Sequence, residues 1–77
     1  MSGEAVSGRE ERMTDVEFAA TCQRVQGLLG LDDQGMADKC MVSRPTFMRW
    51  KRGRNLPHGA LRRGIVRLLA DALDGAE

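Results

Sequence analysis

DDQGMADKCMVSRPTFMRWKRGRNLPH, residues 32–58, decides the fold. A short helical pattern starts, breaks at Met41-Val42-Ser43, restarts and ends in a basic loop. Asp32 can cap a first helix over about 33–40, because a short carboxylate accepts from the amides of the first turn. Met36, Ala37 and Cys40 then face inward at helical spacing. Gly35 weakens this helix by about 1 kcal/mol relative to alanine. Ser43 can cap the second helix, and Pro45 falls in its first turn, where a missing N–H costs nothing. This helix is expected over 44–52, with Gly53 ending it. Arg54-Asn55-Leu56-Pro57-His58-Gly59 reads as a loop from its Gly, Pro and Asn content.

Outward from this stretch lie two longer helical patterns. Thr14-Asp15-Val16-Glu17 is a capping box: the threonine hydroxyl can accept from the third helical amide, and the glutamate can reach back. The helix that follows is expected over 15–29, with Phe18, Cys22, Val25 and Leu29 on one stripe. Gly30 ends it. On the other side a helix over 60–74 carries the stripe Leu61, Ile65, Leu68, Leu69 and Ala72. Gly64 inside it points to close approach of a neighbouring helix. No segment alternates as a strand does. The expected fold is all-α, a small bundle of four short helices with room for a fifth, in a single domain over 14–75. Residues 1–13, MSGEAVSGREERM, lack apolar periodicity and are expected to form a flexible tail.

Seventy-seven residues make one domain with a small core, since a chain this short buries only about 60% of its unfolded surface. The two cysteines, Cys22 and Cys40, are too few for a disulfide framework, and with the single His58 they make no familiar metal spacing. Buried, reduced thiols fit a cytoplasmic setting. No run approaches a membrane span, and no secretory signal is visible. No nucleophile or general base has a partner at a readable spacing, so neither enzymatic activity nor a cofactor is expected.

Net charge is only +1, but its distribution is uneven. Residues 39–67 hold nine basic side chains (Lys39, Arg44, Arg49, Lys51, Arg52, Arg54, Arg62, Arg63 and Arg67) and no acid. Ordinary solvated surfaces mix the signs, whereas a one-signed basic region is the footprint of a polyanion binder. On a wheel of 100° per residue, Phe47 and Trp50 fall on one side of the 44–52 helix. Arg44, Pro45, Met48, Arg49 and Arg52 fall on the other. A helix anchored by two aromatics, with an arginine-rich outer face, fits the major groove of DNA, where arginine pairs bidentately with guanine.

Residues 31–57, LDDQGMADKCMVSRPTFMRWKRGRNLP, resemble the lambda-repressor-like (Cro/repressor, XRE-type) helix-turn-helix DNA-binding domains. The family pattern reads roughly LTQxxLAxxxGVSxxTISRWExGxxxP. Leu31, Ala37, Val42, Ser43, Thr46, Arg49, Trp50, Gly53 and Pro57 stand in step with it. The resemblance implies a recognition helix in the major groove, with Arg44, Pro45, Met48 and Arg49 at base edges. It places Gln34, Lys51, Arg52, Arg54, Asn55 and His58 at backbone phosphates, together with the amides that open the second and fourth helices. Ala37 would be small because the two motif helices cross there.

Three positions depart from the pattern. Asp33 stands where the family often has glutamine, and a carboxylate there repels phosphate. Met41 stands where glycine commonly takes a left-handed turn, so strain of about 1 kcal/mol or a different turn is expected. Lys51 replaces a frequent glutamate, which adds positive charge beside DNA or loses an internal ion pair.

The resemblance implies a bacterial or phage repressor acting by occupying a palindromic operator. It would work as a homodimer through Val66, Leu69 and Leu73 of the fourth helix. The alternative expectation is a helical adapter, an antitoxin-like or recombination-complex subunit that binds a protein partner.

Overall fold

The computed structural model describes residues 13–75. Four helices follow one another: α1 (Asp15–Leu29), α2 (Asp33–Cys40), α3 (Arg44–Lys51) and α4 (Gly59–Gly75). Among the described residues there is no strand, and no helix is long and apolar enough to cross a membrane. Each boundary lies within a residue of its expected place, which is the usual fraying of a helix end. Residues 1–12, expected as a tail, lie outside the described residues. Met13 does not belong with them: it is half-buried and packs against the core.

Local chemistry sets the ends. Thr14 Oγ1 accepts from Glu17 N at 3.1 Å, and Glu17 Oε1 accepts from Thr14 N at 2.8 Å, completing the capping box. Gly30 closes α1 in the left-handed region at φ 66°. Asp32 Oδ1 accepts from Gly35 N at 2.8 Å to open α2. A side chain at Gly35 would stand 3.2 Å from both that oxygen and Leu31 Cβ, so this glycine makes room for the cap. Ser43 caps α3 by accepting from Thr46 N at 3.3 Å. Between α2 and α3 the turn does use the left-handed conformation, and Met41 adopts it at φ 62° with its side chain 80% exposed. Val42 N then donates to Ala37 O at 3.0 Å, using a carbonyl that the end of a helix would otherwise leave unpaired.

The core draws on every helix. Phe18, Cys22 and Val25 come from α1, Met36, Ala37 and Cys40 from α2, Phe47 and Trp50 from α3, and Ile65 and Leu69 from α4, with Leu56 of the loop beneath them. All three aromatics of the chain are therefore internal. Phe18 and Trp50 meet edge to face with centroids 5.6 Å apart, a geometry that adds about 0.5–1.5 kcal/mol to the area they bury. Ala37 has no exposed surface.

Helix α4 departs from its expected stripe in its first turn. Leu61 is 60% exposed, and Arg62 is buried in its place. Ile65 and Leu69 are buried as expected and Leu68 packs against the core, with Arg62 joining them three residues before Ile65. Gly64 has open space where a Cβ would sit, so no neighbouring helix approaches it. Leu69 is part of the core, and Val66 and Leu73 pack against it. Of the surface expected for a dimer, Leu69 is buried within the chain, while Val66 and Leu73 keep part of their area open.

Candidate nucleic-acid interface

Helix α3 is held from below. Phe47 is fully buried and Trp50 nearly so, while Trp50 Nε1 donates to Asn55 O at 3.1 Å. That bond satisfies the indole and fixes the start of the loop in the same step. The opposite face carries Arg44, Pro45, Arg49 and Arg52, all exposed, with Met48 half-buried between them. Arg44 Nη1 lies 3.7 Å from Met48 Sδ, so these two sit one turn apart on one face. No acid occurs anywhere in α3. The five side chains expected on the outer face are brought together there.

Beyond α3 the chain turns tightly. Gly53 N donates to Trp50 O at 3.0 Å and Arg54 N to Arg49 O at 2.8 Å, with Gly53 at φ 76°. Asn55 follows at φ 50°, a conformation asparagine tolerates better than most residues. Leu56 and Pro57 are buried, whereas Arg54, Asn55 and His58 are exposed. A loop anchored at its middle and polar at its ends can present donors to a phosphate backbone without ordering itself on binding.

Two residues expected at phosphates are engaged elsewhere. Lys51 Nζ donates to Asp33 Oδ1 at 2.7 Å and to Gln26 Oε1 at 3.0 Å, and it stands 5.9 Å from the Phe47 ring centroid. Its ammonium is turned in toward the junction of α1, α2 and α3. Gln26 Nε2 donates to the same Asp33 oxygen at 2.9 Å. The bonded Lys51 holds the Asp33 carboxyl below the usual carboxylate range, with Gln26 next and the Arg44 charge adding to it. Gln34 Nε2 donates to Asp38 Oδ1 at 3.0 Å along α2. At the α2 entrance Asp32 takes the Gly35 amide, and Asp33 adds a carboxylate beside it. The first turn of α4 has no acid.

Arg62 and Gln23 were not among the expected site residues. Gln23 Nε2 donates to Lys51 O at 2.8 Å, tying the end of α3 to α1. Arg62 donates through Nε to Pro57 O at 2.7 Å, through Nη1 to Met13 O and through Nη2 to Asp15 Oδ1 at 2.5 Å. It also lies over the Phe18 ring at 5.4 Å. The signal for Arg62 was its register with Ile65 and Leu69; for the Asp33–Lys51 pair it was opposite charges at two departures from one pattern.

No family model, no curated protein and no solved structure matches the chain. What this surface binds is therefore a matter of its chemistry. Among the described residues no three His, Cys, Asp or Glu side chains gather as a metal site. The surface cavities are shallow: that beside Val16, Gln23 and Arg52 holds about 310 Å³ and opens widely to solvent.

Proposed function

We propose that this chain is a sequence-specific double-stranded DNA-binding transcription regulator, a repressor that acts by occupying its operator. In this reading α2, the turn at Met41–Ser43 and α3 form a helix-turn-helix of the lambda-repressor-like kind. The observation that carries it is the two-sidedness of α3: Phe47 and Trp50 are sealed in the core while Arg44, Pro45, Arg49 and Arg52 stand exposed with no acid among them. A rigid helix with that outer face is suited to a groove that is lined by phosphates and floored by guanine acceptors.

Arg44 and Arg49 read base edges, and Pro45 and Met48 supply apolar contact of the kind a thymine methyl accepts. Arg52, Arg54, Asn55 and His58 hold phosphates and set the register. Lys51 and Gln34 are left out of this set because their polar ends are bonded within the protein. No cofactor and no covalent step are involved. One module of this size makes few phosphate contacts, so a second copy on a half-site about 34 Å away completes the operator.

Selection of bound duplexes from a random pool at 0.1 M salt tests the reading. Enrichment of a sequence with guanines at fixed spacing, repeated as an inverted pair, is the expected result. Recovery of an unenriched pool, or no retention of duplex at all, refutes it. Sedimentation at tens of micromolar, with and without the selected duplex, tests the second copy, and a monomer in both refutes it.

A further inference from the structure

The loop that follows α3 is held by a residue that never reaches the outer face. Arg62 is 6% exposed. Its guanidinium uses three nitrogens on three different segments: Pro57 O in the loop, Met13 O ahead of α1, and the Asp15 carboxylate in the first turn of α1. Asp15 is 60% exposed, so the acid can be altered with little loss of packing. The same Nη2 stands 3.5 Å from His58 Nδ1. A guanidinium has only hydrogens to offer, so Nδ1 acts as the acceptor there and the neutral ring carries its hydrogen on Nε2. His58 is exposed, and an Nε2–H is a donor suited to a phosphate oxygen.

Resting on the DNA-binding reading above, we propose that Arg62 is a positioning residue. It clamps the 54–58 loop to the N-terminal edge of α1 and aims His58 at a backbone phosphate, without touching DNA itself. The clamp needs a planar fork. A lysine keeps the charge and most of the stem but cannot serve Pro57, Met13 and Asp15 together.

The test is a binding cycle on the full chain with a duplex taken from the selection, measured by fluorescence anisotropy across a salt series. In the parent background, His58→Ala removes one phosphate contact. Because the neutral ring donates a hydrogen bond without adding charge, this leaves the salt slope unchanged and weakens binding about two- to tenfold at every salt concentration. Arg62→Lys alone produces a loss of the same kind, and adding His58→Ala to it produces no further loss. The selected base sequence is unchanged in Arg62→Lys, because α3 is not moved. If the two losses multiply, Arg62 does not act through His58 and the proposal fails. Should Arg62→Lys fail to fold by circular dichroism, the same cycle is run with Asp15→Asn. A smaller loss that His58→Ala absorbs supports the proposal, and independent losses overturn it. A parent that binds no duplex overturns the DNA-binding reading and this proposal together, whereas a binding parent with multiplicative losses overturns this proposal alone.

Discussion

Lys51 Nζ and Asp33 Oδ1 are 2.7 Å apart, and Gln26 bonds both. Two departures from the pattern that residues 31–57 resemble are thus one arrangement. An acid at the entrance of α2 is an unfavourable neighbour for phosphate, and an unpaired lysine at the end of α3 would be a loose charge. Paired, they neutralise each other and join α2 to α3, while Gln26 brings in α1. The pair is about three-quarters covered on each side, so bulk solvent screens it less than a surface ion pair.

Acid should therefore weaken the fold through Asp33. Its carboxyl lies below the ordinary 3.8 when folded, so the folded state binds a proton less readily than the unfolded chain. Stability from the pair is fully present above 3.8 and is lost as pH falls through the lower folded value. Asp33→Asn is expected to melt below the parent at pH 7, with the gap closing as pH drops below 3.8. A gap that stays constant between pH 7 and pH 2.5 would show that the ionised pair contributes nothing.

What was legible in the sequence was what neighbouring residues decide. The capping box of Thr14 and Glu17, the stop at Gly30, and the inward Phe47 and Trp50 each follow from residues within one or two turns of each other. The missed contacts join residues far apart in sequence: Lys51 to Asp33 across 18 positions, Gln23 to Lys51 across 28, and Arg62 to Asp15 across 47. Periodicity records that a residue lies on a face but not which partner meets it. That is why Arg62 counts in the sequence only as one more cation of the basic region, and why the stripe takes in Leu61 where Arg62 is buried. The same blindness applied to the glycines, where Gly64 reads as a crossing point yet faces open space.

Gly27 and Gly64 are expected to accept alanine with a gain. Both lie inside helices, and a Cβ at either would meet nothing within 4 Å. Each Gly→Ala change should stabilise by about 0.5–1 kcal/mol by reducing the entropy of the unfolded chain. Gly35→Ala should gain less or turn destabilising, because Leu31 and the Asp32 cap crowd its Cβ. Urea denaturation of the three variants, read as midpoints at constant m, distinguishes these outcomes.

Met41→Gly is expected to stabilise as well, by about 1 kcal/mol, by relieving the left-handed backbone. The methionine holds φ 62° with 80% of its surface exposed, so little burial is forfeited when it goes. A fall in the thermal midpoint on this change would mean that the Met41 side chain contributes more to the fold than its exposure implies.

The two thiols predict an alkaline limit. Burial pushes Cys22 up to about 12, helped by the neighbouring Cys40 and opposed by Lys51, and burial pushes Cys40 up to about 11. Their folded values exceed the ordinary 9.0, so this stability is complete below pH 9 and is lost as pH rises toward 11 and 12. The expected slope is on the order of 1 kcal/mol per pH unit for each thiol. A disulfide reagent at pH 8 should react only as fast as the chain opens, because the folded thiols are covered and protonated. Rapid reaction of either thiol in the native protein would contradict this burial.

The arginines of the outer face should separate into two kinds. If α3 reads base edges as proposed, Arg44→Ala and Arg49→Ala should each cost about 1–3 kcal/mol on the selected duplex while relaxing preference at one position. With Arg52 and Arg54 on phosphates as proposed, Arg52→Ala and Arg54→Ala should weaken all duplexes alike and reduce the salt slope by about one each. None of the four should lower the thermal midpoint by more than a degree or two, since all four side chains are exposed and the anchors Phe47 and Trp50 are untouched. Phe47→Ala is the opposite case: it should cost about 3–5 kcal/mol of stability and abolish binding only by loss of the fold. If the four arginine variants bind every duplex as the parent does, α3 is not a reading helix.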